Sequence, residues 1–422
     1  MKRRTFLNTT AAISGVTIMS PAVAFGSKAN SAIQMGIIGC GNRGTTVISS
    51  MSKNTNINII AMADLFDDRL QKSKKVLDGE NGKKGFPAVE KSNTYLGSKA
   101  YQKLLANKNV DAVLISSPCY SHPGFFEAVV SAGKHVYCEK PVAPDVDGCL
   151  RVERAGEKMN GKLSMVIGFQ IRYATPYMEM VKRIQRGDIG DVLSANMCYL
   201  AMHTGFGNIT GMSDDEARIR NHYNWLAMSG GPLLDQSIHI MDVCNWALQK
   251  HPVEAIGFGG KDKTQTYGDV WRYFNVVYDY SGTHVSLQGS QFGPYFGDVC
   301  AKFVGTEGTA EAHYSGGVYI SGSKPWDSGV LKYGGQVVTD EQRKAGVFQS
   351  ALGDADPNKE IAFIKSIEKG HFLNDTRSGS ESTLSIILGR EAAMTGKAVT
   401  WDKLRASNAK LDPKLNLSQF DK

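Results

Sequence analysis

The 422-residue sequence predicts an α/β fold in two parts: a doubly wound parallel sheet, then an α+β region built on a large, mostly antiparallel open sheet. Three observations carry that expectation. Residues 36–44 read Gly-Ile-Ile-Gly-Cys-Gly-Asn-Arg-Gly, and Asp64 follows twenty positions after the last glycine. Apolar runs and helix-like segments alternate from about Ala32 to Gly161. Beyond Gly161, strand-like runs follow one another across tight turns such as Tyr280-Ser281-Gly282-Thr283.

Residues 1–24 read as a leader and not as fold. Lys2-Arg3-Arg4-Thr5-Phe6-Leu7 is a twin-arginine pattern, and Ala22-Val23-Ala24 has the small residues of a cleavage site. The mature chain is therefore expected to be exported to the periplasm. No later segment reaches the ~18 apolar residues of a membrane span, so none is expected. Residues 32–160 form the first domain, with strands expected at 34–38, 57–63, 112–116 and 135–138, and a further one at 166–168. Helices are expected at 67–77 and 124–132, and the polar stretch 78–98 reads as a surface loop. Residues 161–422 form the second domain. It opens with a helix at 175–186 and continues with strands at 192–202, 274–280, 284–288 and 301–304. A polar, aromatic loop at 204–225 interrupts them, 316–352 reads as irregular, and helices return at 358–370 and 380–394.

The glycine turn has a mechanism at each position. Gly39 permits the tight turn, Gly41 lets backbone approach a pyrophosphate, and Gly44 lets the next helix pack on the strand. Asn42 and Arg43 complete the turn, and the helix N-terminus presents free N–H groups to phosphate. Asp64 falls where the adenosine ribose would lie. Its carboxylate suits a 2′-hydroxyl and repels a 2′-phosphate, which favours NAD over NADP, although Arg69 is close by. These features together define a Rossmann dinucleotide-binding unit.

Composition excludes other classes. The formal charge of +7 falls by three with the leader, and basic residues are scattered, so nucleic acid is not an expected partner. The seven cysteines show no Cys-x-x-Cys spacing, and no metal site is expected.

Three side chains carry candidate chemistry. Lys140 follows an apolar strand, at the carboxyl end where open α/β sheets bind ligands; elsewhere it would read as a solvated loop lysine. Asp235 and His239 stand four apart on an apparent helix, where the acid could fix the imidazole tautomer for general-base work. On these residues alone, a histidine packed in an apolar helix explains His239 equally well. Asp242 shares the same face.

The segments 110–118 through His122, then Glu139-Lys140-Pro141, and then Asp235 through Asp242 resemble the Gfo/Idh/MocA family of glucose–fructose oxidoreductases and inositol dehydrogenases. The resemblance covers nearly all of the mature chain. It implies a catalytic trio of Lys140, His239 and Asp235, and it places Ser117, Pro118, His122, Glu139 and Lys140 beside the cofactor. It also implies a pocket bordered by Arg172 and Tyr173. His203, His222, Tyr223 and Trp225, in or beside the 204–225 loop, are candidates to stack on a sugar, Trp225 foremost. The implied activity is hydride transfer between a sugar or glycoside hydroxyl and NAD. Export of a folded chain to a compartment without a nicotinamide pool further predicts that the NAD is tightly held, with residues 25–31 or, preferably, the 78–98 loop covering the adenosine. The alternative is a redox-neutral glycosidase acting through a 3-keto intermediate, although the Tyr-Pro-Thr-His-Gly segment of one such group is missing here. A non-catalytic binding protein would need to lack Lys140 or His239. Relatives associate through the open sheet face, which implies a homodimer or homotetramer.

Overall fold

The computed structural model describes residues 32–201, 206–261, 263, 265, 267–291, 298–314, 316–330 and 351–421. The expected leader and His203 lie outside them.

Six strands form the first sheet: β1 (Ile33–Ile38), β2 (Ile57–Asp64), β3 (Thr94–Leu96), β4 (Ala112–Ile115), β5 (His135–Cys138) and β6 (Met165–Ile167). They are all parallel and run in the order β3-β2-β1-β4-β5-β6. The order reverses between β1 and β4, which opens a crevice at the carboxyl ends of those strands. β4 is buried throughout because helices cover both faces, which is why it reads as an unbroken apolar run.

The second sheet contains β7 (Val192–Ala201), β8 (Glu254–Gly260), β9 (Tyr273–Asp279), β10 (His284–Gln291), β11 (Asp298–Gly305), β12 (Gly308–His313), β13 (Val318–Gly322), β14 (Trp326–Asp327) and β15 (Val399–Thr400). Its order is β14-β13-β12-β11-β7-β10-β9-β8-β15, and it is antiparallel except where β10 runs parallel to β7. Strands β8 and β9 alternate exposed and buried residues, so one face meets the core and the other carries exposed Ile256, Phe258, Tyr273 and Val277.

The helices are α1 (Asn42–Asn54), α2 (Asp67–Lys83), α3 (Ala100–Ala106), α4 (His122–Ser131), α5 (Val146–Lys158), α6 (Thr175–Gln185), α7 (Asp214–Arg220), α8 (Leu226–Ser229), α9 (Ile238–Leu248), α10 (Ala355–Glu368), α11 (Thr376–Thr395) and α12 (Trp401–Ser407). Asp145 caps α5 by accepting the Gly148 N–H at 2.8 Å. Helix α11 packs on β8, β9 and α5, so it is buried along most of its length. Its small residues make that possible: a Cβ on Gly389 would stand 2.0 Å from the Tyr278 hydroxyl. Buried Arg390 donates from α11 to the carbonyls of Pro144 (2.9 Å) and Gly230 (3.3 Å).

Two expected loops are structured. Within 78–98, α2 continues to Lys83 and β3 pairs with β2. The helix was hidden because its buried stripe is partly polar: Leu70, Ser73, Leu77, Glu80 and Asn81. Asn81 earns its place by bonding the backbone of Ile59 (3.2 and 2.7 Å) and Pro87 (3.0 Å). The 204–225 stretch contains α7, capped by Ser213 on the Glu216 N–H at 3.3 Å.

Candidate active site

The turn after β1 has the shape its glycines predict. Gly39 adopts φ +94°, and a Cβ there would lie 2.6 Å from the backbone of Ser116 and Ser117 at the end of β4. A Cβ on Gly44 would lie 2.3 Å from the Gly39 carbonyl, so α1 packs directly on the turn. Gly41 differs, with nothing within 4 Å of its Cβ position. That open space at the N-terminus of α1 fits a pyrophosphate, and Asn42 and Arg43 begin the helix beside it. Asp64 is oriented by two N–H donors, from Cys40 at 2.6 Å and Phe66 at 2.8 Å, which leaves acceptor capacity on both oxygens. Burial pushes its carboxyl upward, against those two donors and nearby Arg69.

At the end of β5, Glu139 and Lys140 point different ways. The Glu139 carboxylate is buried and pairs with Arg43 at 3.2 Å. Lys140 donates to the Asp235 carbonyl at 2.5 Å and stands 3.6 Å from its carboxylate. The expected Asp235–His239 pairing is replaced by one with the lysine. Residues Leu233–Ser237 form a π-helical turn before α9, and the Asp235 carboxylate stands by Lys140 with no hydrogen bond to His239 among the described residues. His239 Nδ1 is buried without a hydrogen-bond partner among the described residues. Burial holds the imidazole well below its ordinary pKa, with Lys140, Arg43 and Lys359 adding to the effect. The ring is therefore neutral at neutral pH and free to take a proton.

Lys359 and Asp356 reach the site from α10. Asp356 stands 3.6 Å from Arg43 and 2.6 Å from Lys359, whose ammonium is fully buried above the Tyr137 ring. Nothing in the sequence pointed to them, because more than 300 residues separate them from the glycine turn. Tyr223 and His222 also join the cluster. The Asp235 charge is the largest influence raising the Tyr223 hydroxyl, and it opposes the burial that lowers His222.

Other candidates are placed differently. His122 is buried, with Nδ1 2.8 Å from the Pro141 carbonyl and Nε2 2.7 Å from that of Ser117. A neutral ring has one N–H and can donate to only one of these carbonyls, and His122 sits packed between the loop carrying Ser117 and Pro118 and the segment after Lys140. Burial outweighs the two carbonyls and keeps its pKa low. Arg172 grips Asp242 with two bonds of 2.8 Å, and Asp242 also accepts from Ser382 at 2.7 Å. The pair is structural, and Arg172 faces a cleft shared with Trp246, Lys250 and Glu381. Tyr173 is largely buried, which raises its hydroxyl, as does Asp375. Trp225 has the Arg218 guanidinium 5.2 Å from its ring, and its Nε1 is buried without a partner among the described residues.

Two segments dock beside Asp64. Arg220 of α7 bonds Asp68 at 2.7 and 3.0 Å and lies 4.1 Å over the Phe66 ring. Phe420 meets Phe66 edge-on at 5.3 Å, and Asp421 accepts from Ser98 N at 2.7 Å and Ser98 Oγ at 2.8 Å.

A crevice at the strand-order reversal, with a glycine turn on one side and a lysine–imidazole pair on the other, defines a dinucleotide-dependent α/β protein. Residues 33–167 match the oxidoreductase family with NAD-binding Rossmann fold, and residues 177–311 match the GFO/IDH/MocA C-terminal domain. The chain belongs to the Gfo/Idh/MocA oxidoreductase family. It is 32% identical to inositol 2-dehydrogenase 3 of Saccharopolyspora erythraea over 165 residues, which is 39% of this chain and under half, 44%, of that relative. It is 24% identical to myo-inositol 2-dehydrogenase of Thermotoga maritima over 371 residues, 85% of this chain and 95% of that one. In fold it resembles scyllo-inositol dehydrogenase from Lactobacillus casei with bound NAD(H) and scyllo-inositol. The TM-score is 0.64 at 20% identity, over 87% of this chain and 99% of that chain.

Proposed function

We propose that the protein is an NAD-dependent oxidoreductase acting on a hydroxyl of a cyclic polyol, an inositol, sugar or glycoside. The observation that carries this reading is a neutral His239, its buried Nδ1 without a partner among the described residues, beside a Lys140 anchored on Asp235, in the crevice that the Gly39–Gly44 turn opens. Gly41, the N-terminus of α1 and Asp64 would hold the dinucleotide. When bound, its nicotinamide supplies the hydride acceptor.

The chain's own residues supply the rest. Lys140 holds the substrate hydroxyl and stabilises negative charge on its oxygen as the proton leaves. His239 accepts that proton at a ring nitrogen. Asp235 fixes the Lys140 ammonium, and Tyr223 and His222 face the same carboxylate, where they can bond a second hydroxyl. The named activities of the two inositol dehydrogenase relatives support a cyclic polyol over an open-chain substrate.

The proposal extends to location and retention. The leader in residues 1–24 supports export of the folded chain, and the contacts of Phe420 and Asp421 beside Asp64 support a slowly exchanging cofactor. The test is to denature the purified mature protein, identify the released nucleotide, and assay inositols, aldoses and glycosides for keto products. The expected result is one NAD per chain and oxidation of at least one cyclic polyol. A preparation that neither carries nor binds NAD overturns the reading. Cleavage of a nitrophenyl glycoside without added NAD would move it to the glycosidase.

A further inference from the structure

The sheet pairing assembles a donor set that sequence spacing concealed. Cys198 on β7 is the direct antiparallel partner of Cys300 on β11, and Cys300 is in turn the partner of His313 on β12. The three side chains therefore project from one face of the sheet in a row, the face opposite buried Met197 and Ala301. Asp298, two residues before Cys300, projects on the same side. The two thiols lie 3.0 Å apart, and both sulfurs and an Asp298 carboxylate oxygen all fall within 4.8 Å of one another. All three residues are half-buried, so an ion from solution can reach them.

We propose that Cys198, Cys300 and Asp298 bind a divalent metal ion of the zinc class, with His313 orienting the carboxylate. Two soft sulfurs and one oxygen suit zinc far better than magnesium or calcium, which take oxygen alone. Tetrahedral zinc with bonds of about 2.3 Å holds its sulfurs about 3.8 Å apart, so the thiols need part by less than an ångström. The nearest alternative, a disulfide, needs a closure of similar size, to about 2.05 Å. The carboxylate separates the two. A disulfide has no use for Asp298, whereas three potential anions crowded on one face are relieved by a cation among them.

The surroundings are those of a ligand set. His313 Nδ1 stands 3.1 Å from Asp298 Oδ1, the type of contact that aims a ligating carboxylate. Glu311 lies 3.6 Å from the other ring nitrogen and is itself held by Lys302 at 2.5 Å and Tyr319 at 2.7 Å. The fourth metal position is left to water. Bound metal would staple β7 to β11 in the middle of the second sheet, and it takes no part in the chemistry proposed at Lys140 and His239.

Cobalt(II) added to the reduced, metal-free full-length protein is the probe. The expected result is a thiolate-to-cobalt charge-transfer band that saturates at one ion per chain and disappears on adding zinc. Cys198→Ser should abolish the band, and Asp298→Asn or His313→Ala should weaken binding about 10- to 100-fold. Should Cys198→Ser fail to fold, the wild-type protein suffices: thiol titration with a mercurial, followed by a zinc-sensitive dye, should release one zinc per chain. No band with the reduced protein, or an unchanged band in Cys198→Ser, overturns the site. Five reactive thiols instead of seven in denatured, unreduced protein, with no metal uptake after reduction, assigns the pair to a disulfide and also overturns it.

Discussion

The Lys140 ammonium donates to the main-chain carbonyl of Asp235 at 2.5 Å and stands 3.6 Å from that residue's carboxylate. The acid therefore serves the lysine and not the imidazole. This changes what Asp235 is expected to do, because a carboxylate beside Lys140 fixes a charge, whereas one beside His239 would fix a tautomer. The main-chain contact survives any side-chain substitution at 235.

Lys140→Ala and His239→Ala should each lower kcat by about 10²-fold or more while the protein stays folded and keeps its nucleotide. Asp235→Asn should cost less than Lys140→Ala, since the carbonyl anchor remains. In double-mutant cycles Asp235→Asn should couple to Lys140→Ala and add independently to His239→Ala. Coupling to His239→Ala instead would restore the tautomer role.

The pH dependence follows from the depressed His239. Its neutral, proton-accepting form persists until the pH drops through its lowered pKa, so the acid limb of kcat/KM should lie below the usual histidine value of about 6.5. Lys359 is one of three cations holding that value down. Lys359→Met leaves Asp356 beside Arg43 and removes one positive charge, so the limb should move up toward 6.5. A pH–rate profile that does not move would show that the buried ammonium is not felt at the ring.

The two central glycines of the turn separate folding from binding. Gly39→Ala forces a side chain into φ +94° and against the Ser116–Ser117 backbone, which should cost about 1–3 kcal/mol or more and lower Tm. Gly41→Ala meets no protein atom within 4 Å, so Tm should hold while the Kd for NAD rises at least about tenfold. Equal loss of Tm in both variants would show that the space beside Gly41 is not reserved for a ligand.

How much was legible before the structure depends on the range of each interaction. The parallel strands, the glycine turn and Asp64 are local patterns, and each reads directly from a short window. Lys140 was readable because it ends an apolar strand. The Asp235–His239 pairing was misread because a spacing of four sets a shared face and not a bond, and only the fold brings Lys140 to Asp235. Arg172 looked like a pocket residue because only the fold brings it to Asp242, 70 positions away. Lys359 and the Cys198–Cys300 pair were invisible for the same reason, since their partners are set by helix docking and sheet register.

Arg172→Ala should therefore report on stability before substrate. It strands the fully buried Asp242 without its cation, a change expected to cost about 3–5 kcal/mol. Arg172→Lys keeps the charge but loses the two-pronged geometry, and its urea midpoint should fall between alanine and wild type. A raised KM at unchanged midpoint in Arg172→Ala would return the residue to the substrate pocket.

The slow exchange of cofactor can be tested at the chain's far end. Retention was expected from residues 78–98, but α2 and β3 account for much of that stretch. The segment that lies beside Asp64 is the tail. Phe420 packs on Phe66, two residues past Asp64, and Asp421 bonds Ser98, whose neighbour Gly97 donates to the Asp64 carbonyl at 3.1 Å. Asn416 and Gln419 hold the tail to Asp215 at 2.9 Å each, on the same helix, α7, that delivers Arg220 onto that phenyl ring. A dinucleotide whose ribose meets Asp64 would leave past this cover. Phe420→Ala and Asp421→Ala should speed release of bound NAD, together by about tenfold or more. The core, which the tail does not enter, should keep its Tm within a few degrees. Stopped-flow displacement of the bound nucleotide measures this directly. Unchanged release rates in the double variant would show that the tail does not hold the cofactor; residues 25–31, the other segment expected to cover it, lie outside the described residues.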